Sequence, residues 1–251
     1  MKFVVTGGAG FVGSNIVKQL LKQNHTPIVI DNMCRGKMER ISSLDIEFHE
    51  ADIRNFEQVK NIIKNSDGIF HEAALTDVQE SFTKQEEYYD VNVKGTENVF
   101  KIAKEFDLKV VYASSSSIYG NPKKIPIDET SERNPINPYG KTKLDDELLA
   151  EKYSNDNVSI LGLRYFNIYG KGQTGSYAGV ITKFINNLKE KKSPIIFGSG
   201  SQLRDFIFVE DVALANITAM QSNVKNGFFN VGTGIATSIQ QLAKIMVEIS
   251  G

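Results

Sequence analysis

Hydrophobic residues along the chain fall into short continuous runs separated by longer segments with helical spacing. The runs are rich in β-branched and aromatic residues and lie at Lys2–Thr6, Pro27–Asp31, Ile46–His49, Gly68–His71, Lys109–Ala113 and Ser159–Leu163. Continuous apolar runs of this length predict strands buried on both faces, as in a parallel sheet. Apolar residues at helical spacing predict helices at Val12–Leu21, Phe56–Ile63, Val91–Phe106 and Tyr139–Leu149. The alternation predicts an α/β fold with a doubly wound parallel sheet.

The pattern becomes less regular after Arg164, where Gly and polar residues are more frequent. We expect helices at Val180–Lys189, at Asp211–Met220 and from Ser238, with strands at 194–197, 205–209 and 228–231. This part of the chain predicts a smaller lobe over the carboxyl edge of the sheet, where ligands of such folds bind.

Composition and charge exclude several classes of protein. The 251 residues are 41% hydrophobic, with 29 Lys+Arg against 30 Asp+Glu. Nucleic-acid binding is disfavoured because it depends on concentrated positive charge. Cys34 is the single cysteine, and together with the three histidines it shows no metal-ligand spacing. No apolar run is long enough for a signal peptide or a membrane span, so we expect a soluble, cytoplasmic protein without a metal or a membrane partner.

A glycine-rich turn follows the first predicted strand. Gly8, Gly10 and Gly13 satisfy G-x-G-x-x-G, and Gly7 with the last two satisfies the variant G-x-x-G-x-x-G. Glycines allow a sharp turn and a close approach of the backbone to a pyrophosphate, and the following helix directs its amides at the negative charge. The turn therefore predicts a dinucleotide site.

Asp31 ends the second predicted strand at the distance expected for a carboxylate that binds a ribose 2′-OH and repels a 2′-phosphate. This favours NAD over NADP, although Arg35 nearby could accommodate a phosphate. Asp31 could instead form only a strand-end turn with Asn32. Asp52 also follows an apolar segment, where it could hold an adenine or cap the helix that begins near Asn55.

Candidate chemistry follows the fifth predicted strand. Serines at 114–117 place hydroxyls at the carboxyl edge of the sheet, and Tyr139 and Lys143 share one face of the next helix. An ammonium beside a phenol stabilises the phenolate, which can then act as a base. A surface helix pair and a serine loop explain each motif singly, but their combination behind a dinucleotide turn favours catalysis.

Nine segments carry a resemblance to a known family: TGGAGFVGSNIV at 6–17, ADIRN at 51–55, HEAA at 71–74, NVKGTENV at 92–99, SSSSIYG at 114–120, YGKTK at 139–143, LRYFNIYG at 163–170, RDFIFVEDV at 204–212 and NVGTG at 230–234. The chain resembles the extended short-chain dehydrogenases/reductases, specifically the NAD-dependent nucleotide-sugar epimerase/dehydratase family and its UDP-glucose or UDP-N-acetylglucosamine 4-epimerases. The resemblance implies a Rossmann domain at 1–166 with a returning segment at about 205–233, and a nucleotide-sugar lobe at 167–204 plus 234–251.

The resemblance also implies roles for individual residues. The catalytic group would be Ser115, Tyr139 and Lys143. NAD would be bound by Gly7, Gly10, Phe11, Val12, Asp31, Asn32, Asp52, Ile53, Ala73, Ala74, Asn92, Tyr139, Lys143 and Phe166. The UDP-sugar would be bound by Val78, Ser115, Ser116, Tyr139, Asn167, Tyr177, Gly179, Val180, Ile195, Phe197 and Arg204, with Asn167 and Arg204 at the diphosphate.

The resemblance favours one reaction over its relatives. Dehydratases of the family carry Asp-Glu where this chain has Ser116 and Ser117, and decarboxylases usually keep the glutamate. Epimerisation at C4 through a transient 4-keto sugar, with Tyr139 as base and no net redox change, needs neither acid. Another nucleotide-sugar dehydratase, decarboxylase or reductase is the alternative, and a non-catalytic dinucleotide sensor is a third.

Two further expectations come from the resemblance. The helices at Val91–Phe106 and from Tyr139 match the interface helices of the family, which implies a homodimer. Family chains usually continue for some tens of residues beyond the helix Ser238–Ile249, so we expect a complete NAD site, an incomplete sugar lobe and poor turnover.

Overall fold

The computed structural model describes residues 1–173 and 179–250. The strands within this range are β1 (Lys2–Thr6), β2 (Thr26–Asp31), β3 (Glu47–Glu50), β4 (Gly68–His71), β5 (Val110–Ser115), β6 (Ile160–Tyr165), β7 (Asn167–Tyr169), β8 (Leu203–Arg204), β9 (Phe206–Phe208), β10 (Asn226–Val231) and β11 (Thr237–Ser238). The helices are α1 (Phe11–Lys22), α2 (Phe56–Ile63), α3 (Val78–Thr83), α4 (Gln85–Tyr88), α5 (Gly95–Phe106), α6 (Pro138–Asn155), α7 (Val180–Lys189), α8 (Val209–Gln221) and α9 (Ile239–Ser250).

Seven strands form one parallel sheet in the order β10-β6-β5-β4-β1-β2-β3. Successive side chains of a strand point to opposite faces, so neighbours on β1 enter different cores. Phe3 and Val5 pack with residues of α1 and α8, whereas Val4 packs with residues of α2, α5 and α6. Helices cover both faces, which explains the continuous apolar runs and confirms the predicted doubly wound α/β fold.

The strand order reverses beside β1. The chain passes from β1 to β2 and β3 on one side, and then returns to place β4, β5 and β6 on the other. Loops after β1 and β4 therefore diverge and leave a crevice at the carboxyl ends of these strands. The glycine-rich turn follows β1, and residues 72–75 follow β4, so both line this crevice.

Two expectations about local structure need correction. The segment 194–197 is not a strand: it pairs with no described strand, and Ile195 and Phe197 are 62% and 80% exposed. Its apolar residues follow Pro194, which lacks the backbone N–H that a ladder needs. The predicted helix Val91–Phe106 instead begins as a π-helical turn at Tyr89–Lys94, which continues into α5. No helix in the described ranges has the length and hydropathy needed to cross a membrane.

Candidate active site

A cleft of about 740 Å³ opens at the carboxyl edge of the sheet. The sequence-predicted site residues that line it are Gly7, Gly10, Phe11, Val12, Ala74, Val78, Ser115, Tyr139, Lys143, Phe166, Asn167, Gly179, Val180, Ile195, Phe197 and Arg204. The structure thus brings together the glycine-rich turn, the candidate catalytic residues and most of the predicted substrate residues. The cleft does not include Asp31, Asn32, Asp52, Ile53, Ala73, Asn92 or Ser116 in its lining, and Tyr177 lies outside the described residues.

The glycine-rich turn forms a backbone cradle. Gly7 has a φ of +67°, and a Cβ at this position would lie 2.7 Å from the nitrogen of Ala73. No side chain larger than hydrogen fits there, so the turn can approach the loop after β4 closely. Helix α1 begins directly after Gly10 and carries no acidic residue in its first turn. This cradle and the helix N-terminus fit the pyrophosphate of a dinucleotide.

Asp31 braces the turn from the end of β2. Its carboxylate accepts hydrogen bonds from the backbone nitrogens of Ala9 at 3.0 Å and Met33 at 2.9 Å. Burial raises the pKa of Asp31, while these two hydrogen bonds and Arg40 oppose the rise. Asp31 therefore lies beside the glycine-rich turn, at the strand end where a ribose carboxylate is expected.

Arg35 lines the cleft, but Glu80 holds its guanidinium. The Nη2 atom of Arg35 donates to both carboxylate oxygens of Glu80, at 2.7 and 2.8 Å. Glu80 in turn has its pKa lowered to about 2 by Lys84, Arg35 and Tyr88. The negative charge of Glu80 balances the positive charge of Arg35 that a 2′-phosphate would need. This pairing favours NAD.

Asp52 and Asn32 form a polar cluster at the rim. The Asp52 carboxylate accepts from the Arg54 guanidinium at 2.7 and 2.9 Å and from Asn32 Nδ2 at 2.8 Å. Hydrogen bonds from Arg54 hold the pKa of Asp52 well below its usual value. The N-cap of α2 is Asn55, whose Oδ1 accepts from the nitrogen of Gln58, so Asp52 does not cap that helix.

Asn92 lies behind the cleft wall, with none of its surface exposed. Its side chain exchanges hydrogen bonds with the backbone N–H and C=O of Leu75, at 2.8 and 2.9 Å, and donates to Thr142 Oγ1 at 3.0 Å. Asn92 therefore ties the loop after β4 to helix α6. Ala73, which donates to Thr6 Oγ1 at 3.3 Å, belongs to the same support.

The start of helix α6, which carries Tyr139, packs closely against the serine run. Asn137 caps the helix by accepting from the nitrogen of Gly140 at 2.7 Å. A Cβ on Gly140 would lie 2.8 Å from the carbonyl oxygen of Ser117, so glycine allows this close approach. Ser115 Oγ accepts from the nitrogen of Ser117 at 3.1 Å, which fixes its hydroxyl at the end of β5. Local backbone geometry thus orients the candidate tyrosine and serine toward one cleft.

Lys143 is 3% exposed and lies one turn along α6. Its ammonium donates to Asp146 Oδ2 at 3.1 Å. Burial alone would lower the pKa of Lys143, but the charges of Asp146 and Tyr139 outweigh it and raise the pKa above its usual value. The site therefore contains a stable cation beside the candidate base.

Glu72 is a cleft residue that the sequence analysis missed. Its Oε1 accepts from Tyr165 Oη at 2.9 Å, and Asn216 Nδ2 donates to the same Tyr165 oxygen at 2.7 Å. Burial raises the pKa of Glu72 to about 8, so the carboxyl keeps a proton at neutral pH. A signal was present: Glu72 is an acidic residue directly after a buried strand, at the ligand edge of the sheet.

The opposite wall, called the lobe side below, comes from segments that follow β6. Strand β7 pairs with β9, and the side chain of Asn167 donates to the carbonyl oxygen of Asp205 at 3.0 Å. The Asp205 carboxylate accepts from the nitrogens of Thr233 and Gly234 at 2.7 to 2.9 Å. Arg204, which directly precedes Asp205 in the chain, is exposed and donates to the carbonyl oxygen of Leu203. The lobe therefore offers a cation opposite the wall that carries the glycine-rich turn.

The profile of the NAD dependent epimerase/dehydratase family matches residues 3–232 of this chain. The chain belongs to this family. NAD is accordingly its cofactor, and the backbone cradle at Gly7 with Asp31 at the end of β2 fits that group.

Sequence relatives carry two activities in their names. The chain is 40% identical over 248 residues to a Methanocaldococcus jannaschii protein provisionally named UDP-glucose 4-epimerase, covering 97% of this chain and 80% of the relative. It is 32% identical over 260 residues to the UDP-N-acetyl-alpha-D-glucosaminuronate decarboxylase of Bacillus cytotoxicus, covering 98% and 79%.

Solved structures agree with the fold. The UDP-glucose 4-epimerase of Thermotoga maritima with UDP-glucose superposes with a TM-score of 0.95 at 33% identity, covering 100% of this chain and 83% of that one. The UDP-glucose 4-epimerase of Thermus thermophilus with NAD has a TM-score of 0.91 at 30% identity, covering 100% and 84%.

Proposed function

We propose that this protein is an NAD-dependent 4-epimerase of a UDP-hexose. The observation that carries the proposal is the convergence of Ser115, Tyr139 and Lys143 on the same cleft as the glycine-rich turn and Arg204. A hydroxyl, a phenol and a cation suffice to move one proton on a sugar hydroxyl. Relatives named as UDP-glucose 4-epimerases support the substrate class.

Tyr139 removes the proton of the sugar 4-OH, and Ser115 holds the same oxygen by hydrogen bonding. Lys143 stabilises the phenolate form of Tyr139 by its positive charge. The glycine-rich turn and Asp31 would hold NAD, which would supply a reversible hydride acceptor for the hydrogen of C4. The 4-keto sugar rotates and presents its other face before the hydride is returned to C4. Tyr139 then gives its proton back to the oxygen of the inverted centre. The net redox change is zero.

Arg204 and Asn167 hold the diphosphate during this rotation. Arg204 supplies the positive charge, and Asn167 is fixed by its hydrogen bonds to Asp205. Ile195, Phe197 and the nearby residues Gly179 and Val180 contact the nucleotide. The anchored nucleotide leaves the sugar free to present either face to the cofactor.

Dehydration and decarboxylation are less well supported, although a decarboxylase is among the relatives. The family resemblance associates those reactions with acidic residues where this chain has Ser116 and Ser117. Ser117 lines the cleft, but a serine hydroxyl is a poorer proton acceptor at neutral pH than a carboxylate.

Purified protein should be incubated separately with UDP-glucose, UDP-galactose and their N-acetyl forms, with the products resolved by chromatography. We expect one pair to interconvert without added NAD being consumed. A reductase or dehydrogenase would change NADH in proportion to product, and a sensor would give no product.

The proposal includes a cytoplasmic homodimer and a division into a cofactor domain at 1–166, with its returning segment, and a substrate lobe. A second cleft lies between the turn Tyr89–Lys94 and the start of α6. Tyr89 on the turn is 46% exposed, as is Leu148, one turn beyond Asp145 of that cleft. Two such faces could bury their apolar residues against each other. Light scattering should give twice the chain mass, and Leu148→Asp should return the monomer.

A further inference from the structure

A buried acid lies one helical turn beyond Lys143, and the proposed reaction does not use it. Asp146 has none of its surface exposed, and its Oδ2 accepts from the Lys143 ammonium at 3.1 Å. Its neighbour Asp145 differs: it is partly exposed and pairs with Lys141 on the outer face of α6. Two adjacent carboxylates thus make the same kind of pair in two different environments.

Four titratable side chains lie around the Lys143 ammonium, and few of them can carry a balancing negative charge. Tyr139 and Asp146 approach it from α6, His71 from β4, and Glu72 from the loop that follows. Burial lowers the pKa of His71 to about 3 and raises that of Glu72 to about 8, so both are neutral at neutral pH.

Asp146 is the carboxylate that contacts the buried ammonium, at 3.1 Å, so the geometry places it to balance that charge. Burial raises its pKa to about 7, against the lowering effect of Lys143. A buried ion without a partner is costly, and removing one member of a buried pair leaves the other uncompensated.

Buried polar groups near Asp146 extend toward the glycine-rich turn. Thr96 lowers the pKa of Asp146 by hydrogen bonding, and Thr96 Oγ1 lies 2.9 Å from His71 Nε2. His71 Nδ1 lies 2.7 Å from Thr6 Oγ1, and Thr6 precedes the glycine-rich turn. A neutral histidine has one N–H, so it donates to one threonine and accepts from the other. These hydrogen bonds connect helix α5, through His71, to the end of β1. Among the described residues, Asp146 Oδ1 is buried without a hydrogen-bond partner.

We propose that Asp146 is a positioning residue whose carboxylate keeps the Lys143 ammonium charged and fixed in the cleft wall before any ligand binds. The catalytic importance of this arrangement rests on the proposed function, whereas the pairing itself does not. The inference predicts that loss of the Asp146 charge makes Lys143 release its proton at a lower pH, because the largest charge that opposes the effect of burial is then missing.

The test uses the ligand-free protein labelled with ¹³C at the lysine Cε, with the Lys143 signal assigned from its absence in Lys143→Met. The pH at which this signal titrates is compared between the wild type, Asp146→Asn and the matched control Asp145→Asn. We expect Asp146→Asn to lower the titration midpoint by about one to three pH units. Asp145→Asn should leave it unchanged, because that carboxylate pairs with Lys141.

The affinity for NAD, measured by calorimetry from pH 7 to 9, gives a second readout. It should stay nearly constant in the wild type and fall with rising pH in Asp146→Asn, as the ammonium is lost. If Asp146→Asn does not fold, Asp146→Ser removes the same charge with less bulk. The wild-type ¹³Cγ signal of Asp146 needs no variant, and it should show an ionised carboxyl at pH 8.

An unchanged Lys143 midpoint in a folded Asp146 variant would overturn the proposal, as would a protonated Asp146 at pH 8 in the wild type. A variant that loses thermal stability without moving the Lys143 midpoint would show a structural role only, which also overturns it. None of these readouts requires a sugar substrate. Failure of the epimerase assay would therefore leave the outcome for Asp146 separately measurable.

Discussion

The two walls of the cleft are built in different ways. On the sheet side, Tyr139, Lys143 and Ser115 are each at most 9% exposed and belong to regular elements, α6 and β5. On the lobe side, Phe197 is 80% exposed and Arg204 extends from a strand of two residues. Groups that transfer a proton must be fixed and their charge controlled, whereas a nucleotide can be anchored by groups that adapt on binding.

The substitution with the largest expected effect removes the candidate base on the sheet side of the cleft. Tyr139→Phe removes the phenol oxygen and keeps the ring, so turnover should fall by about 10²- to 10⁴-fold or more, the usual contribution of acid–base catalysis. Binding of NAD should change little, since the ring still packs at the start of α6. Steady-state kinetics and calorimetry check both points. Tyr153→Phe on the same helix is the control and should keep full turnover; equal losses in both variants would contradict the role of Tyr139.

A matched pair of glycines separates the two walls. Gly7 and Gly234 both have positive φ, at +67° and +75°, but a Cβ meets Ala73 at the first and nothing within 4 Å at the second. Gly7→Ala should therefore lower NAD affinity and the melting temperature strongly. Gly234→Ala adds only backbone strain, of order 1 kcal/mol. Calorimetry and thermal unfolding measure the contrast, and similar effects of the two variants would remove it.

Glu72 makes the stability of the sheet side depend on pH. Its usual pKa of 4.5 is raised by burial to about 8 in the folded protein. The folded chain keeps a proton that the unfolded chain loses, so this stabilisation is full below pH 4.5 and is lost as the pH rises toward 8. Glu72→Gln should flatten the fall in unfolding free energy between pH 5 and 8, as measured by denaturant titration. Glu57→Gln, on α2, should keep the wild-type slope, and a slope unchanged in Glu72→Gln would refute the assignment.

The substitution with the smallest expected effect on stability tests the role of Phe197 on the lobe side. Phe197→Ala removes an exposed ring, so stability should change by less than about 0.5 kcal/mol. If the ring contacts the nucleotide, KM for the UDP-sugar should rise by about tenfold while kcat is retained. A loss of kcat at unchanged KM would mean that this side of the cleft also takes part in the chemistry.

The same contrast explains how far the sequence could be read. Strands such as β1 and β4 and helices such as α2 and α7 match the predicted bounds, because buried faces impose a strict apolar pattern. The run at 194–197 is equally apolar, but Ile195 and Phe197 lie exposed and no strand of the described ranges pairs with the run. An apolar pattern predicts burial in a core. Apolar residues can instead line a ligand cleft, and the pattern alone does not distinguish the two.

Among the site residues, motifs predicted those whose role depends on backbone or spacing. Gly7 and the pair of Tyr139 with Lys143 belong to this group. Glu72 and Asp146 escaped notice because their importance arises from burial, which distant segments create. Asn92 was expected at the cofactor, yet its side chain is used to join two segments behind the wall. Such support depends on which loops meet in three dimensions.

In the proposed reaction the hydrogen of C4 leaves the sugar and returns to it without exchanging with water, and a deuterium label at C4 follows that hydrogen. UDP-glucose carrying deuterium at C4 should be incubated with the enzyme in ordinary water, and the UDP-galactose formed should be examined by mass spectrometry and NMR. We predict that deuterium remains at C4 of the product while absorbance at 340 nm shows no net change. Loss of deuterium to solvent, or a stoichiometric rise in NADH, would contradict the account.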